Sequence, residues 1–302
     1  MQNILSSTIK NNRLAIIGKH NQPIHRQSLT QLLHICQEYG YKIFIEHKTA
    51  FYNEISAKDG YEIIELENIT HKLNLDFVIV VGGDGTMLGV ARALCKENIP
   101  LIGINSGRLG FITDINLQDI TSYLIPILRG QYSLDERWVL QAKVVQNGNS
   151  ESVFEGLAVN DVVVNRHIAN GMIEIEISVD SAYMCKQRAD GLIISTPTGS
   201  TAYALSVGGP ILHPQTNDLV LAPIAPHSLS DRPIVIPASS NIVVKISGTK
   251  DCMVNFDMQS YTNLQQGDEI HIQKSAYKII FVHHPNYNYY DVLRKKLHWQ
   301  DG

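Results

Sequence analysis

The chain has 302 residues, of which 44% are hydrophobic and 18% charged, values of an ordinary globular protein with room for two domains. The formal net charge of -4 argues against non-specific nucleic-acid binding as the main activity, and no apolar run approaches the ~20 residues of a membrane span. Cys36, Cys95, Cys185 and Cys252 are scattered and form no Cys-x-x-Cys pair, which speaks against a zinc site or disulfide framework and for reduced thiols in a cytoplasmic protein. Residues 1–7 lack the layout of a signal peptide.

Leu14-Ala15-Ile16-Ile17-Gly18 reads as a short buried strand. A helix is expected over 27–39, with Leu29, Leu32, Leu33, Ile35 and Cys36 on its inner face. A strand follows over 41–46, and the mixed, polar segment 53–74 is expected to be helical in part. Asp76-Phe77-Val78-Ile79-Val80-Val81 is the apolar, β-branched run of a fully buried parallel strand. Met87-Leu88-Gly89-Val90-Ala91-Arg92-Ala93-Leu94 has helical spacing, 100–105 is another strand, and 116–129 a closing helix. Strands alternating with helices predict an α/β domain with a parallel sheet, whose ligands sit at the carboxyl ends of its strands.

Between the buried strand and its helix lies Gly82-Gly83-Asp84-Gly85-Thr86. Free N–H groups of a glycine turn and a helix start suit phosphate, so Gly82, Gly83, Gly85 and Thr86 are candidate phosphate contacts. Asp84 is the only charged side chain there and would repel phosphate, which suggests a second task as proton acceptor or metal contact. A tight turn whose aspartate caps the next helix is the plainer alternative. Asn105-Ser106-Gly107-Arg108-Leu109-Gly110-Phe111 leaves the same end of the sheet. Phe111 either offers an aromatic face to a base or lies in the core.

After about residue 136 the period changes from 3.6 to 2. Strands are expected over 138–145, 153–159, 173–179, 242–246 and 269–272, with a hairpin turn at Asn147-Gly148 and no long helical period. This second, all-β domain carries three polar clusters. Asn160-Asp161 ends an apolar strand and also fits a simple turn. Arg188-Ala189-Asp190-Gly191 fits a surface ion pair as well as a site. Thr196-Pro197-Thr198-Gly199-Ser200-Thr201-Ala202-Tyr203 crowds four hydroxyl residues around one glycine, a composition suited to ribose and phosphate oxygens. His283-His284 is a tempting metal pair, but adjacent strand residues point to opposite faces, so no metal ligand is assigned.

The 82–86 stretch resembles the Gly-Gly-Asp-Gly-Thr motif of NAD kinases and of diacylglycerol and sphingosine kinases. The 196–203 stretch resembles the Thr-Pro-Thr-Gly-Ser-Thr-Ala-Tyr motif of bacterial NAD kinases, which lipid kinases do not share. Gly208-Gly209-Pro210-Ile211, Ser230-Asp231-Arg232-Pro233-Ile234-Val235-Ile236-Pro237 and the Asn160-Asp161 pair look like further pieces of that family. The resemblance runs from about Leu14 to the C-terminus. It implies that ATP phosphorylates the 2′-hydroxyl of the adenosine ribose of NAD to give NADP, by a phosphotransferase with an alcohol acceptor. It makes Asp84 the catalytic proton acceptor and places Gly85, Phe111, Asn160, Asp161, Arg188, Asp190, Thr198, Gly199, Ser200, Thr201, Ala202, Tyr203, Ser206 and Gln259 at the NAD site. Asp257 falls in the family's acidic segment, but Met258 stands where many members have glycine. Where relatives carry a histidine after the Asn-Asp pair, this chain has Gly171. No Gly-x-x-x-x-Gly-Lys-[Ser/Thr] loop is present, so Mg²⁺ or Mn²⁺ carried with ATP is expected to serve the phosphates. The resemblance further implies a homodimer or homotetramer and a chain end, 289–302, that returns to the first domain; the change of period puts the domains at 1–136 and 137–288, and charge and hydropathy point to no nucleic-acid or membrane partner. A lipid kinase and a dinucleotide sensor without turnover are the rival readings.

Overall fold

The computed structural model describes residues 11–107, 109–149, 151–167, 171–249 and 251–299; residues 1–7 and Arg108 of the loop after Asn105 lie outside them. The chain forms two compact units, Met1–Glu136 with Ile279–Gly302, and Arg137–Lys278. The first begins with β1 (Arg13–Gly18), α1 (Arg26–Glu38), β2 (Lys42–Glu46), α2 (His47–Tyr52) and β3 (Glu62–Ile64). It continues with β4 (Phe77–Gly82), α3 (Asp84–Leu94), β5 (Leu101–Asn105), β6 (Ile115–Asn116) and α4 (Ile120–Leu128). The strands lie parallel in the order β3-β2-β1-β4-β5, with β6 beside β5. Every residue of β4 is buried, which is why that strand reads as an unbroken apolar run rather than an alternating one. Leu29, Leu32, Leu33, Ile35 and Cys36 form the buried stripe of α1. The 53–74 segment is helical in part, as expected, though only in single turns. It holds only single 3₁₀ turns at Ala57–Asp59, Leu66–Asn68 and His71–Leu73, and the short edge strand β3 between them. Its residues carry no continuous apolar stripe, so no longer helix is stabilised by packing.

The second unit is built from β7 (Ser133–Val145), β8 (Ser152–Ala158), β9 (Asp161–Arg166), β10 (Ile173–Val179), β11 (Ala182–Ala189) and β12 (Gly191–Ser195). After the four-residue α5 (Tyr203–Ser206) come β13 (Asp218–Ile224), β14 (Ile234–Pro237), β15 (Ile242–Ile246), β16 (Cys252–Phe256), β17 (Ser260–Leu264) and β18 (Glu269–His283). One antiparallel array runs β11-β10-β15-β18, with β7 pairing both β18 and β8. The other runs β14-β13-β12-β9-β16-β17. Alternate residues Ile173, Ile175 and Ile177 of β10 share a core with Leu140, Val162, Leu192, Val254 and Phe256. The Asn147-Gly148 turn joins β7 to β8, with Gly148 at φ +84°. No helix among the described residues is long and apolar enough to cross a membrane.

β18 runs well past the expected 269–272, and its last residues belong to the first unit, where Phe281 pairs with Leu101 of β5. The return therefore starts at Ile279, earlier than residue 289, and leads into α6 (Tyr289–Leu297). Asn288 caps this helix by accepting the Tyr290 N–H at 2.8 Å, and Val292 and Leu293 are buried. At the end of β18 the two histidines meet the same carboxylate, contrary to the expectation that they point to opposite faces. His283 is buried, with Nδ1 2.9 Å from Asp114 Oδ2 and Nε2 3.2 Å from Asp135 Oδ2, and its ring stacks on Tyr287 at 3.6 Å. His284, just beyond the strand, packs on Tyr123 and brings its Nε2 to 3.9 Å from the same Asp114 Oδ2. Burial by itself works against a charge on His283, but the two carboxylates that grip its ring prevail and raise its pKa to about 9.

That grip makes stability depend on pH. The folded value of about 9 exceeds the ordinary value of about 6.5, so the contribution is whole below pH 6.5 and fades as pH rises through 9. Urea denaturation of wild type and His283→Gln should show the widest gap in midpoint near pH 6 and a narrower one above pH 9. A gap that stays constant over that range would disprove a charged His283.

Candidate active site

In the first unit the site is built where β4 turns into α3. A Cβ on Gly82 would lie 2.5 Å from Thr86 Oγ1, so this position tolerates only glycine without a shift. Gly83 is the N-cap of α3 and its carbonyl accepts from Thr86 N–H and Met87 N–H. Asp84 is the first helical residue, yet its side chain does not cap its own helix. The carboxylate turns to the loop after β5. Oδ2 accepts the Phe111 N–H at 2.7 Å, and Oδ1 accepts the Ile112 N–H at 3.2 Å and the Thr113 hydroxyl at 3.0 Å. The approach is close because Gly110 has no side chain: a Cβ there would meet Asp84 Oδ1 at 1.9 Å. Thr113 is buried and its oxygen also accepts from Asn105 Nδ2 at 3.2 Å, while Asn105 Oδ1 takes the Gly107 N–H at 2.6 Å. Phe111 is half-buried rather than in the core, and Lys296 of α6 lies over its ring at 5.4 Å. Gly85 is exposed and Thr86 half-buried.

In the second unit a second carboxylate does similar work. Asp257 Oδ2 accepts the Val159 N–H at 3.0 Å, and Oδ1 accepts the N–H groups of Asn160 and Asp161 at 2.7 and 3.3 Å. Asp257 and Met258 form the turn between β16 and β17 with φ of +52° and +53°. Met258 thus occupies a left-handed position that suits glycine. Asp161 is buried, and burial together with the neighbouring Asp257 charge raises its pKa to about 7. The 196–200 turn packs against this pair. Thr196 N–H donates to Asn160 C=O at 2.8 Å, Thr196 Oγ1 donates to Val159 C=O at 2.7 Å, and a Cβ on Gly199 would meet Asn160 O at 2.2 Å.

The hydroxyls that drew attention in sequence divide into two groups. Thr196 and Ser200 are fully buried and hold the turn itself, Ser200 by donating to Pro197 C=O and accepting the Leu212 N–H at 3.0 Å. Thr198 accepts from the buried Arg137 at 3.1 Å. Thr201, Ala202 and Tyr203 are half-buried and Ser206 and Gln259 exposed, so these reach solvent. Arg188 and Asp190 do not pair with each other. Arg188 meets Glu174 across the strand pair at 3.4 Å and Asp190 meets Arg166 at 3.2 Å, because neighbouring strands offer each an opposite charge. Sequence reasoning missed Asn105, Thr113, Arg137 and Lys296. Asn105 opens the loop motif and Thr113 stands two residues beyond it, so both were within reach; nothing in the local pattern marks Arg137 or Lys296.

Residues 14–132 match the family model of the ATP-NAD kinase N-terminal domain, and residues 159–284 that of the ATP-NAD kinase C-terminal domain. The chain belongs to the ATP-NAD kinase family. It is 47% identical over 289 residues to the NAD kinase of Polaromonas sp. (strain JS666), covering 96% of this chain and 97% of that one. It is 48% identical over 290 residues to the NAD kinase of Burkholderia ambifaria (strain MC40-6), covering 96% and 94%. Yeast NADH kinase complexed with NADH superposes with a TM-score of 0.85 at 21% identity over 97% of this chain and 89% of that one. An NAD kinase from Archaeoglobus fulgidus in complex with ATP superposes with a TM-score of 0.70 at 24% identity over 94% and 98%. At these identities the two structures bear on the fold alone. The match over 159–284 sets aside the lipid kinases, whose likeness is confined to the Asp84 turn. The two-domain fold, an α/β domain with a parallel sheet and a β domain, is that of this ATP-NAD kinase family.

Gly110 supplies a test of the Asp84 geometry. Gly110→Ala must push the carboxylate off its three donors, and a displacement of about 1 Å is enough to lower turnover on the order of 10²-fold. Steady-state kcat should fall accordingly while circular dichroism stays that of the wild type; an unchanged kcat would mean that the carboxylate position is immaterial.

Proposed function

We propose that this chain transfers the terminal phosphate of ATP to the 2′-hydroxyl of the adenosine ribose of NAD, giving NADP. The observation that carries this reading is a family match to both domains in a chain whose Asp84 carboxylate is clamped beside the glycine turn at the end of β4. Phosphoryl transfer asks for positioning and charge neutralisation more than covalent chemistry. Asp84 takes the proton of the attacking hydroxyl. Its two oxygens receive three donors from the 111–113 segment, and carboxylate oxygens have lone pairs beyond those used here. The N–H groups of the 82–86 turn face the donor phosphates. A divalent ion, Mg²⁺ or Mn²⁺, would be held mainly by the phosphates of ATP, with Asp84 as the carboxylate of the 82–86 turn that could contact it. Bound there, the ion would neutralise phosphate charge.

For the acceptor, Asn160 and Asp161 hold ribose hydroxyls, Phe111 and Thr201 lie by the adenine, and Arg188 and Asp190 by the nicotinamide end. Thr198, Gly199, Ser200, Ala202, Tyr203, Ser206 and Gln259 complete the dinucleotide site, with Gly199 and Ser200 contributing through backbone shape. A pKa near 7 lets Asp161 accept from a hydroxyl when ionised and donate to one when protonated. The protein works in the cytoplasm as a homodimer or homotetramer formed through its β domain. Supporting the assembly, edge strands β11, β14 and β17 carry exposed Tyr183, Met184, Ile234, Val235 and Tyr261. Light scattering at micromolar concentration tests this: the 33.7 kDa of a lone chain would refute it.

Incubation with NAD, ATP and magnesium, followed by assay of NADP, tests the reaction against a dinucleotide sensor that binds without turnover. Asp84→Asn should retain NAD binding and lose turnover on the order of 10²–10⁴-fold, the usual worth of a general base. Near-normal turnover would remove Asp84 from the chemistry. Asp161→Ala should lower kcat/KM for NAD by about 2–4 kcal/mol with the ATP KM nearly unchanged, since the hydroxyls it pairs with lose their partner in a buried site. A rise confined to the ATP KM would move Asp161 to the donor side.

A further inference from the structure

We propose that Lys296 is a positioning residue for Asp84, acting through the 109–113 loop; the inference rests on the kinase reading above and adds to it a role for the returning C-terminal helix. Lys296 lies in the last turn of α6, where a lysine ordinarily favours the carbonyls of its own helix end. Here the side chain leaves its helix. Its Nζ donates to the Leu109 C=O at 2.8 Å, across 187 residues of sequence, and the ammonium stands 5.4 Å from the centroid of the Phe111 ring. Among the described residues it makes no ion pair.

The loop it holds is short and has one task in view. Gly110 N–H closes it on Thr113 C=O at 3.2 Å, and the next two N–H groups, of Phe111 and Ile112, are those that grip the Asp84 carboxylate. Asp84 therefore depends on the direction of two peptide units that begin one residue beyond the carbonyl fixed by Lys296. A charged donor makes a stronger hydrogen bond than a neutral one, and the same charge is attracted to the Phe111 face. One ammonium thus fixes both the backbone before Phe111 and the ring itself. Val292 and Leu293, buried on α6, seat the helix that delivers it. The stem of a lysine at this position is replaceable by methionine, but the charge is not.

Amide exchange followed by NMR tests the positioning without recourse to activity. In Lys296→Met the Phe111 and Ile112 amides should exchange faster by about tenfold or more, with β4 amides unchanged, and Lys296→Arg should restore protection. Kinetics test its consequence. Lys296→Met should lower kcat on the order of tenfold and raise the NAD KM, leaving the ATP KM in place. In an Asp84→Asn background the same change should cost kcat nothing further, because both act through one carboxylate. Simple loss of folded protein would lower kcat alone and add fully to Asp84→Asn. Unaltered exchange at Phe111 and Ile112, full additivity, or a rise confined to the ATP KM would overturn the proposal. If wild type formed no NADP, the kinase reading would fail, and the exchange measurement would still decide whether Lys296 holds this loop.

Discussion

The first unit is organised around the clamp on one carboxylate. Asp84 lies at the start of α3, where the helix field favours a negative charge, but its hydrogen bonds run to a different segment of chain. This choice determines several sequence features at once. β4 must be buried on both faces to carry the turn to the edge of the sheet; Gly110 must lack a side chain for the carboxylate to approach; Thr113 must be small, polar and buried to donate while accepting from Asn105. A carboxylate held by three donors has a fixed direction and little freedom to reorganise.

The second unit repeats the device with other residues. Asp257 gathers three successive N–H groups and so shapes the turn that presents Asn160 and Asp161. The consequence differs. Burial, with the neighbouring Asp257 charge adding to it, raises the Asp161 pKa to about 7. The strained turn at Asp257 and Met258 belongs to the same arrangement, since the carboxylate reaches its three donors from a left-handed backbone position.

The chain end is tied into the first unit by polar as well as apolar contacts. Phe281 continues the sheet beside β5, His283 is gripped between Asp114 and Asp135, and Lys296 reaches the loop of Phe111. The carboxylate of Asp114 stands one residue after Thr113, so the histidine bears on the same loop that clamps Asp84. A buried charge held by two opposite charges tolerates little displacement, which makes this end of β18 a firm support.

Sequence by itself determined the two-domain plan, the buried parallel strands, the alternating strands of the β domain and the family, through the Asp84 turn and the 196–203 motif. These are local properties: periodicity reports which faces are covered, and a glycine turn between strand and helix is written in consecutive residues. It put His283 and His284 on opposite faces, whereas both rings meet Asp114, because His284 lies beyond the end of β18. Tertiary structure decided the rest. Only packing shows that Thr196 and Ser200 spend their hydroxyls on their own turn, that Arg188 and Asp190 choose cross-strand partners over each other, and that 53–74 forms single turns and an edge strand. Asp84 finds its donors some 27 to 29 positions away, Asp257 its donors 96 to 98 away, and Lys296 its carbonyl 187 away. No local pattern encodes such pairings, because they exist only once the burial of apolar faces has brought distant segments side by side and left their polar groups to satisfy one another.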